Sequence, residues 1–141
     1  MLLVFFATWC SICRRTMPEV RQVLQLLEST PPAGSAAPVD DTLTVLVSLD
    51  GAETWPRVPD YLAGYQLDEA VVRGAIHEPF VMSYDPTLGV PVAIVVGRDG
   101  KVVDIQRGWS PVGARRLRAA LELARAAPPA GGTTRRSTSA P

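Results

Sequence analysis

Apolar side chains fall into several kinds of run along this chain, and each kind predicts a different element. Leu2 to Ala7 (LLVFFA) is continuously apolar, as expected of a short strand buried on both faces. From about Cys10 to Ser29 the residues Cys13, Met17, Val20, Leu24 and Leu27 recur at intervals of four, three, four and three, which is one stripe of a helix. Pro18 lies inside that stretch, and its missing N–H frees the carbonyl of Arg14 and predicts a kink. Thr42 to Asp50 (TLTVLVSLD) is rich in β-branched residues and predicts a second buried strand. VPVAIVVGRDGKVVDIQRG supplies two further strands around Asp99-Gly100, a strong hairpin signal. Ser110 followed by Pro111 predicts a helix start, a capping hydroxyl and then proline at the first helical position. Ala114, Leu117, Leu121 and Ala124 form the apolar stripe of that helix.

Between these runs the pattern is weaker. Thr30 to Asp41 (TPPAGSAAPVDD) is a Pro/Ala/Gly linker. In residues 51–89, VPDYLAGY and LDEAVVRGAI predict two short helices, and SYDPTLG predicts turns. After Ala127 the chain becomes PPAGGTTRRSTSAP, which cannot bury enough surface to order itself and predicts a disordered tail. The expected organisation is one domain over residues 1–126, with a helical insert at about 51–85, and a tail over 127–141. A strand, a crossover helix and another buried strand imply a parallel βαβ unit. The closing hairpin adds antiparallel strands, so the expected fold class is α/β: a mixed central sheet with helices on both faces.

Composition narrows the function. With 141 residues, 47% of them hydrophobic, the chain has the material for one core. Its 14 basic and 14 acidic side chains balance to zero net charge, so no global basic field attracts nucleic acid. No span approaches the roughly 18–20 apolar residues that cross a bilayer. The opening MLLVFF lacks a basic flank and is interrupted at once by ATWC, unlike a signal peptide. A core strand with no lead-in carries the expectation that an upstream anchor or signal is missing from this chain.

The only two cysteines, Cys10 and Cys13, stand in FFATWCSICRRTMPEV at the predicted start of the first helix. They are too few to fill a four-ligand zinc site or to build a disulfide framework. At positions i and i+3 of a helix their Cβ atoms lie roughly 5–6 Å apart, close enough to be joined. So short a loop contributes little as a staple through chain entropy. Unpaired N–H groups and the positive end of the helix macrodipole favour a thiolate there, and Arg14 and Arg15 add positive charge. Cys10 is expected at the exposed tip as attacking thiolate, and Cys13, which begins the buried stripe, as the resolving thiol. Trp9 would shield one side of the pair and offer an apolar surface to a partner. The one histidine, His77, stands beside Glu78 and reads as a surface or satisfied polar residue.

VFFATWCSICRRTMPEV, with GVPVAIVVGRDGKVVDIQRGW downstream, resembles the thioredoxin-like superfamily and within it the TlpA/ResA-type thiol–disulfide oxidoreductases. The match spans roughly residues 2–125 and is poor through 51–85. The resemblance implies a thioredoxin-like fold with a helical insert after the second strand. It implies that Pro91 is the cis-proline facing the cysteine pair, a geometry accessible only to X-Pro bonds at small cost. The backbone of Val90 would then pair with an extended substrate segment while Cys10 attacks its disulfide. It also implies protein thiol or disulfide substrates, a redox partner protein, no cofactor, a monomer, and an exported or membrane-tethered setting, with any tether on a segment not present here.

The chain departs from the family's pattern at several points. Val4 stands where thioredoxin has a buried acid, Thr16 where many ResA-type proteins have glutamate, and Val92 where threonine often follows the cis-proline. The dipeptide between the cysteines is Ser11-Ile12. Losing the acids favours the thiolate, whereas burial by Val4 and Ile12 opposes it. Three rival readings stand beside this one. A peroxiredoxin expects threonine three residues before its reactive cysteine, whereas Thr8 is two before Cys10. A thioredoxin-fold copper module could use Cys10, Cys13 and His77 as ligands. An inert interaction domain would tolerate loss of both cysteines.

Overall fold

In the computed structural model, which describes residues 1–29, 42–74, 79–84 and 89–127, Leu2–Phe6 forms strand β1 with all five side chains buried. The expected linker at 30–41, the tail beyond Ala127, and His77 lie outside the described residues. Helix α1, Ser11–Glu28, follows β1 and runs on through Pro18. It buries the predicted stripe together with Thr16 and Val23. Strand β2, Thr44–Ser48, then pairs parallel with β1, completing the expected βαβ unit.

Beyond β2 the structure departs from the helical reading of the insert. A single 3-10 turn, Trp55–Arg57, leads into helix α2, Val58–Ala63. The LDEAVVRGAI stretch, expected to be helical, instead contains strand β3, Ala70–Arg73, paired parallel with β2. The reason lies in β2, whose far edge offers a row of unpaired backbone groups, and in the adjacent Val71 and Val72, whose β-branching suits a strand. Because all four β3 side chains are exposed, no burial pattern announced it. Helix α3, Pro79–Tyr84, takes in Ser83 and Tyr84, which the sequence placed in turns.

Strands β4, Val92–Val96, and β5, Val102–Arg107, form the expected antiparallel hairpin. Gly100 sits at φ +78° in its turn, a left-handed conformation that glycine adopts without a Cβ penalty. Helix α4 covers Gly113–Ala126 and begins later than Ser110 and Pro111 suggested. The N–H of Gly113 instead donates to the Ser110 carbonyl at 2.8 Å, closing a turn. Ser-Pro-Val-Gly is also the signature of a β-turn, with proline second and glycine fourth, and here the turn prevails over the cap.

The sheet order is β3-β2-β1-β4-β5, so β1 lies at the centre between parallel β2 and antiparallel β4. Alternation along β1 sends Leu2, Val4 and Phe6 to one face and Leu3 and Phe5 to the other. The first set packs with Met17 and Val20 of α1, Val58 and Leu62 of α2, and Leu117 and Leu121 of α4. The second packs with Val47, Ile94 and Val81 of α3. Helices thus lie on both faces. Tyr61 of α2 stacks on Phe6 with ring centroids 5.7 Å apart, and Arg125 of α4 donates from Nη1 to the Leu27 carbonyl near the end of α1. Among the described residues no helix is long and apolar enough to cross a membrane.

Leu117 is 1% exposed where α4 meets this core. Leu117→Ala is expected to destabilise the fold by about 2–5 kcal/mol through lost burial and a residual cavity. The check is denaturant unfolding, in which the midpoint falls while the m-value stays constant.

Candidate active site

The chain leaves β1 at Phe6 and enters α1 at Ser11, with four residues to turn from a doubly buried strand into a helix. The Cys10 N–H donates to the Ala7 carbonyl at 3.1 Å, closing a turn that projects Trp9 into solvent at 55% exposure. Cys10 is the N-cap of α1, with extended backbone, and its Sγ accepts the Cys13 N–H at 3.1 Å. A sulfur here takes the place usually held by a serine, threonine or aspartate oxygen. Cys10 and Cys13 are joined as a disulfide across the first turn, with Cα atoms 5.2 Å apart.

Cys10 is less open than its expected place at an exposed tip implied. It is 8% exposed against 0% for Cys13, so the order of accessibility holds while the tip itself is nearly covered. Part of the cover is the β4 entry. The Val90–Pro91 peptide bond is cis, and the Val90 carbonyl oxygen lies 3.7 Å from Cys10 Sγ. The Pro91 carbonyl accepts the Gly108 N–H at 2.8 Å, tying this loop to the end of β5. Cys10, Cys13 and Val90-Pro91 therefore meet in one place, and Trp9 stands beside them in the open.

A polar anchor that the sequence reading missed holds the approach to Cys10. Asp50, just past β2, is 2% exposed. Its Oδ2 accepts the Thr8 N–H at 2.9 Å and the Ser48 hydroxyl at 2.7 Å, and its Oδ1 accepts the Thr8 hydroxyl at 2.5 Å. Burial pushes the Asp50 carboxyl up, but the Thr8 hydroxyl and N–H, with the hydroxyls of Ser48 and Thr54, outweigh it and hold it below its ordinary 3.8. From the other side Arg14 folds back and donates from Nη2 to the Thr8 carbonyl at 3.2 Å. The rest of the Arg14 side chain stays exposed to solvent. The only signal for Asp50 was an acid closing a buried strand beside the ATWC turn.

Val4 and Thr16, where relatives of the resembled type carry acids, are each 1% exposed. The Thr16 hydroxyl donates to the Ile12 carbonyl at 3.0 Å. Val92 is likewise buried. Ile12, expected to help bury the pair, is 43% exposed, because position 12 faces away from the α1 stripe.

No family model matches the sequence, and no curated protein matches it. Solved structures do match. A thio-disulfide isomerase from Thermus thermophilus superposes with TM-score 0.60 at 22% identity, over 90% of this chain and 79% of that one. A thioredoxin-like protein from Porphyromonas gingivalis gives 0.63 at 21%, over 89% and 75%. A secreted Mycobacterium tuberculosis disulfide oxidoreductase, homologous to E. coli DsbE, gives 0.61 at 15%, over 86% and 79%. The likeness shows the fold: this chain has the thioredoxin-like α/β architecture.

Asp50 also sets a pH dependence. Its carboxyl titrates lower in the folded chain than in the unfolded one. Its contribution to stability is therefore complete above about pH 4, the unfolded range, and is lost as pH falls through the folded value. Asp50→Asn should flatten the acid limb of a stability–pH curve from chemical denaturation. Asp50→Ala should cost about 2–4 kcal/mol at neutral pH, because it strands the Thr8 and Ser48 donors.

Proposed function

We propose that this chain is a thiol–disulfide oxidoreductase that exchanges electrons with protein thiols and disulfides. The observation that carries this reading is a disulfide spanning the first turn of α1, with Cys10 Sγ as the helix N-cap and the Val90 carbonyl beside it. The similar structures that are themselves a disulfide oxidoreductase and a thio-disulfide isomerase support it.

In the dithiol form Cys10 is the attacking sulfur, since it is the less buried of the two. Its thiolate attacks one sulfur of a substrate disulfide, forming a mixed disulfide and releasing one substrate thiolate. The Cys13 thiolate then attacks Cys10 Sγ and expels the second substrate thiolate. The protein ends as the Cys10–Cys13 disulfide, two electrons have moved to the substrate, and a partner dithiol restores the starting state. Run in reverse, the same steps oxidise a substrate dithiol. Val90-Pro91 forms the wall against which the substrate segment lies, and Trp9 offers it an apolar face. The protein works as a monomer, and its domain over residues 1–126 needs no cofactor for this cycle.

Two groups act on the Cys10 sulfur in opposite senses. The Cys13 N–H at 3.1 Å and the α1 N-terminus favour negative charge, while the Val90 carbonyl oxygen at 3.7 Å opposes it. The N–H is nearer and belongs to an aligned set of helix donors, so the thiolate gains. In the reduced protein Cys10 is expected to ionise below the roughly 8.5 of a free thiol, checked by the pH dependence of its alkylation rate.

Reduction of a model protein disulfide should be lost in Cys10→Ser. Cys13→Ser should instead accumulate a mixed disulfide with the substrate, visible by mass spectrometry. Wild-type rates in Cys10→Ser would refute the enzymatic reading.

A further inference from the structure

The sheet ends in two edges, and they are built differently. β5 has Lys101 just ahead of it and a register shift against Val95 and Val96 of β4, and lysines and irregular pairing keep an edge from accepting another strand. β3 has neither. It is regular, it contains no lysine or proline, its four side chains are exposed, and among the described residues nothing pairs with its outer side.

The pairing of β3 with β2 decides which of its backbone groups face outward. In a parallel ladder the N–H and C=O of one residue point to the same neighbour, and successive residues alternate sides. The Gly74 N–H donates to the Ser48 carbonyl of β2 at 2.8 Å, so Val72 and Ala70 also face β2. Val71 and Arg73 then offer their N–H and C=O to the open edge. An antiparallel strand added there must place its own outward-facing residues opposite these two.

Side chains select which strand that is. Continued back one residue, the alternation puts Glu69, Val71 and Arg73 on one face. On that face Glu69 and Val71 border a groove of about 480 Å³ with Arg21, Leu62 and Leu67. Read antiparallel about Val71, the stretch is its own complement: Glu69 stands opposite Arg73 of a second copy, Val71 opposite Val71, and Arg73 opposite Glu69. Opposite charges facing across strands are favourable, and like charges unfavourable. No other register that respects the outward groups matches both charges. Both are available for pairing. Arg73 is exposed and forms no ion pair among the described residues. Glu69 has one arginine near it, Arg21 at 3.9 Å from Oε1, which it shares with Glu28 at 3.8 Å, and its Oε2 has no hydrogen-bond partner.

We infer that β3 is a self-association edge: two copies join through antiparallel β3 strands centred on Val71, with Glu69 and Arg73 paired twice across a two-fold axis. The symmetry closes the contact, so the product is a dimer with one continuous sheet rather than a fibre. Because β1, β2 and β3 run parallel, the two Cys10 sites point to opposite ends of that sheet, and each copy completes the redox cycle by itself. A strand of four residues covers less than the roughly 1,200–2,000 Å² of a standard interface, so the dimer is weak and forms as concentration rises.

The test is sedimentation equilibrium from roughly 10 μM to 1 mM, with reductant present so that no disulfide between copies contributes. Wild type is expected to rise from the 15.1 kDa of one chain toward twice that mass. Arg73→Glu, at an exposed position, exchanges two attractive pairs for two repulsive ones and should weaken association about tenfold or more. Val71→Pro removes an outward N–H, leaves the β2 ladder intact, and should abolish association. Glu69→Arg should stay monomeric alone, yet mixed with Arg73→Glu it should restore dimers, because each facing pair is then opposite in charge. If Glu69→Arg does not fold, the other two variants decide. A wild-type mass of one chain over the whole range overturns the inference, as does undiminished association in either Arg73→Glu or Val71→Pro. Neither result bears on the redox reading, which the cysteine variants test in each chain separately.

Discussion

One hydrogen bond organises the site: the Cys13 N–H donating to the sulfur of Cys10. It makes a sulfur the N-cap of α1. A helix N-terminus carries backbone N–H groups without intrahelical partners, and an ordinary cap satisfies one of them with an inert oxygen. When the cap is sulfur, the same unsatisfied donors stabilise its charged form. The contacts around that turn hold the chain that leads into it. The buried Asp50 carboxylate holds Thr8 from below, and Arg14 holds the Thr8 carbonyl from α1. These contacts meet two residues before Cys10, so they fix the entry angle of the chain rather than the sulfur itself.

The opposite wall comes from far along the chain. Val90 lies 80 residues from Cys10 in sequence, with Pro91 next to it. They reach it because β4 pairs antiparallel with β1, with Val92 opposite Phe5. The strand that launches α1 and the strand that follows Pro91 are thus neighbours in one sheet, and their adjoining ends deliver both walls of the site to the same edge. Gly108, at the end of β5, ties the loop down through the Pro91 carbonyl. Just beyond it, Trp109 and Pro111 face Ile12 and Thr16 of α1 across a small groove. Three strand ends, of β1, β4 and β5, therefore build a continuous surface around the disulfide.

Much of this was legible in the chain. β1, β2 and β4 are apolar runs whose burial follows directly from composition, whereas β5, the edge strand of the hairpin, is largely exposed. The α1 stripe is a simple helical period, and all five of its expected residues are buried. What escaped reading had a common cause, namely that its signal lay in another segment. β3 has four exposed side chains and so no burial pattern; it is a strand because the edge of β2 needed pairing. The start of α4 carried two valid signals, a cap and a turn, and packing of Gly113 against Gln106 and Trp109 accompanies the outcome in which the turn won. Asp50 reads as an ordinary acid at a strand end until Thr8 and Ser48 are seen around it. Ile12 was misjudged because hydrophobicity alone does not say which side of a helix faces the core.

The sequence by itself determined the alternation of strands and helices, the pairing of Cys10 with Cys13 and their place at the start of a helix. Each of these follows from local periodicity and from a spacing of three residues, which the backbone geometry of a single turn converts into a distance. Tertiary structure alone decided which groups surround that pair. It brought the Val90 carbonyl to Cys10, put a buried carboxylate under Thr8, and set Trp109 and Pro111 across a groove from Ile12 and Thr16. These are contacts between segments distant in sequence, and they exist because burying both faces of one sheet forces its strand ends together.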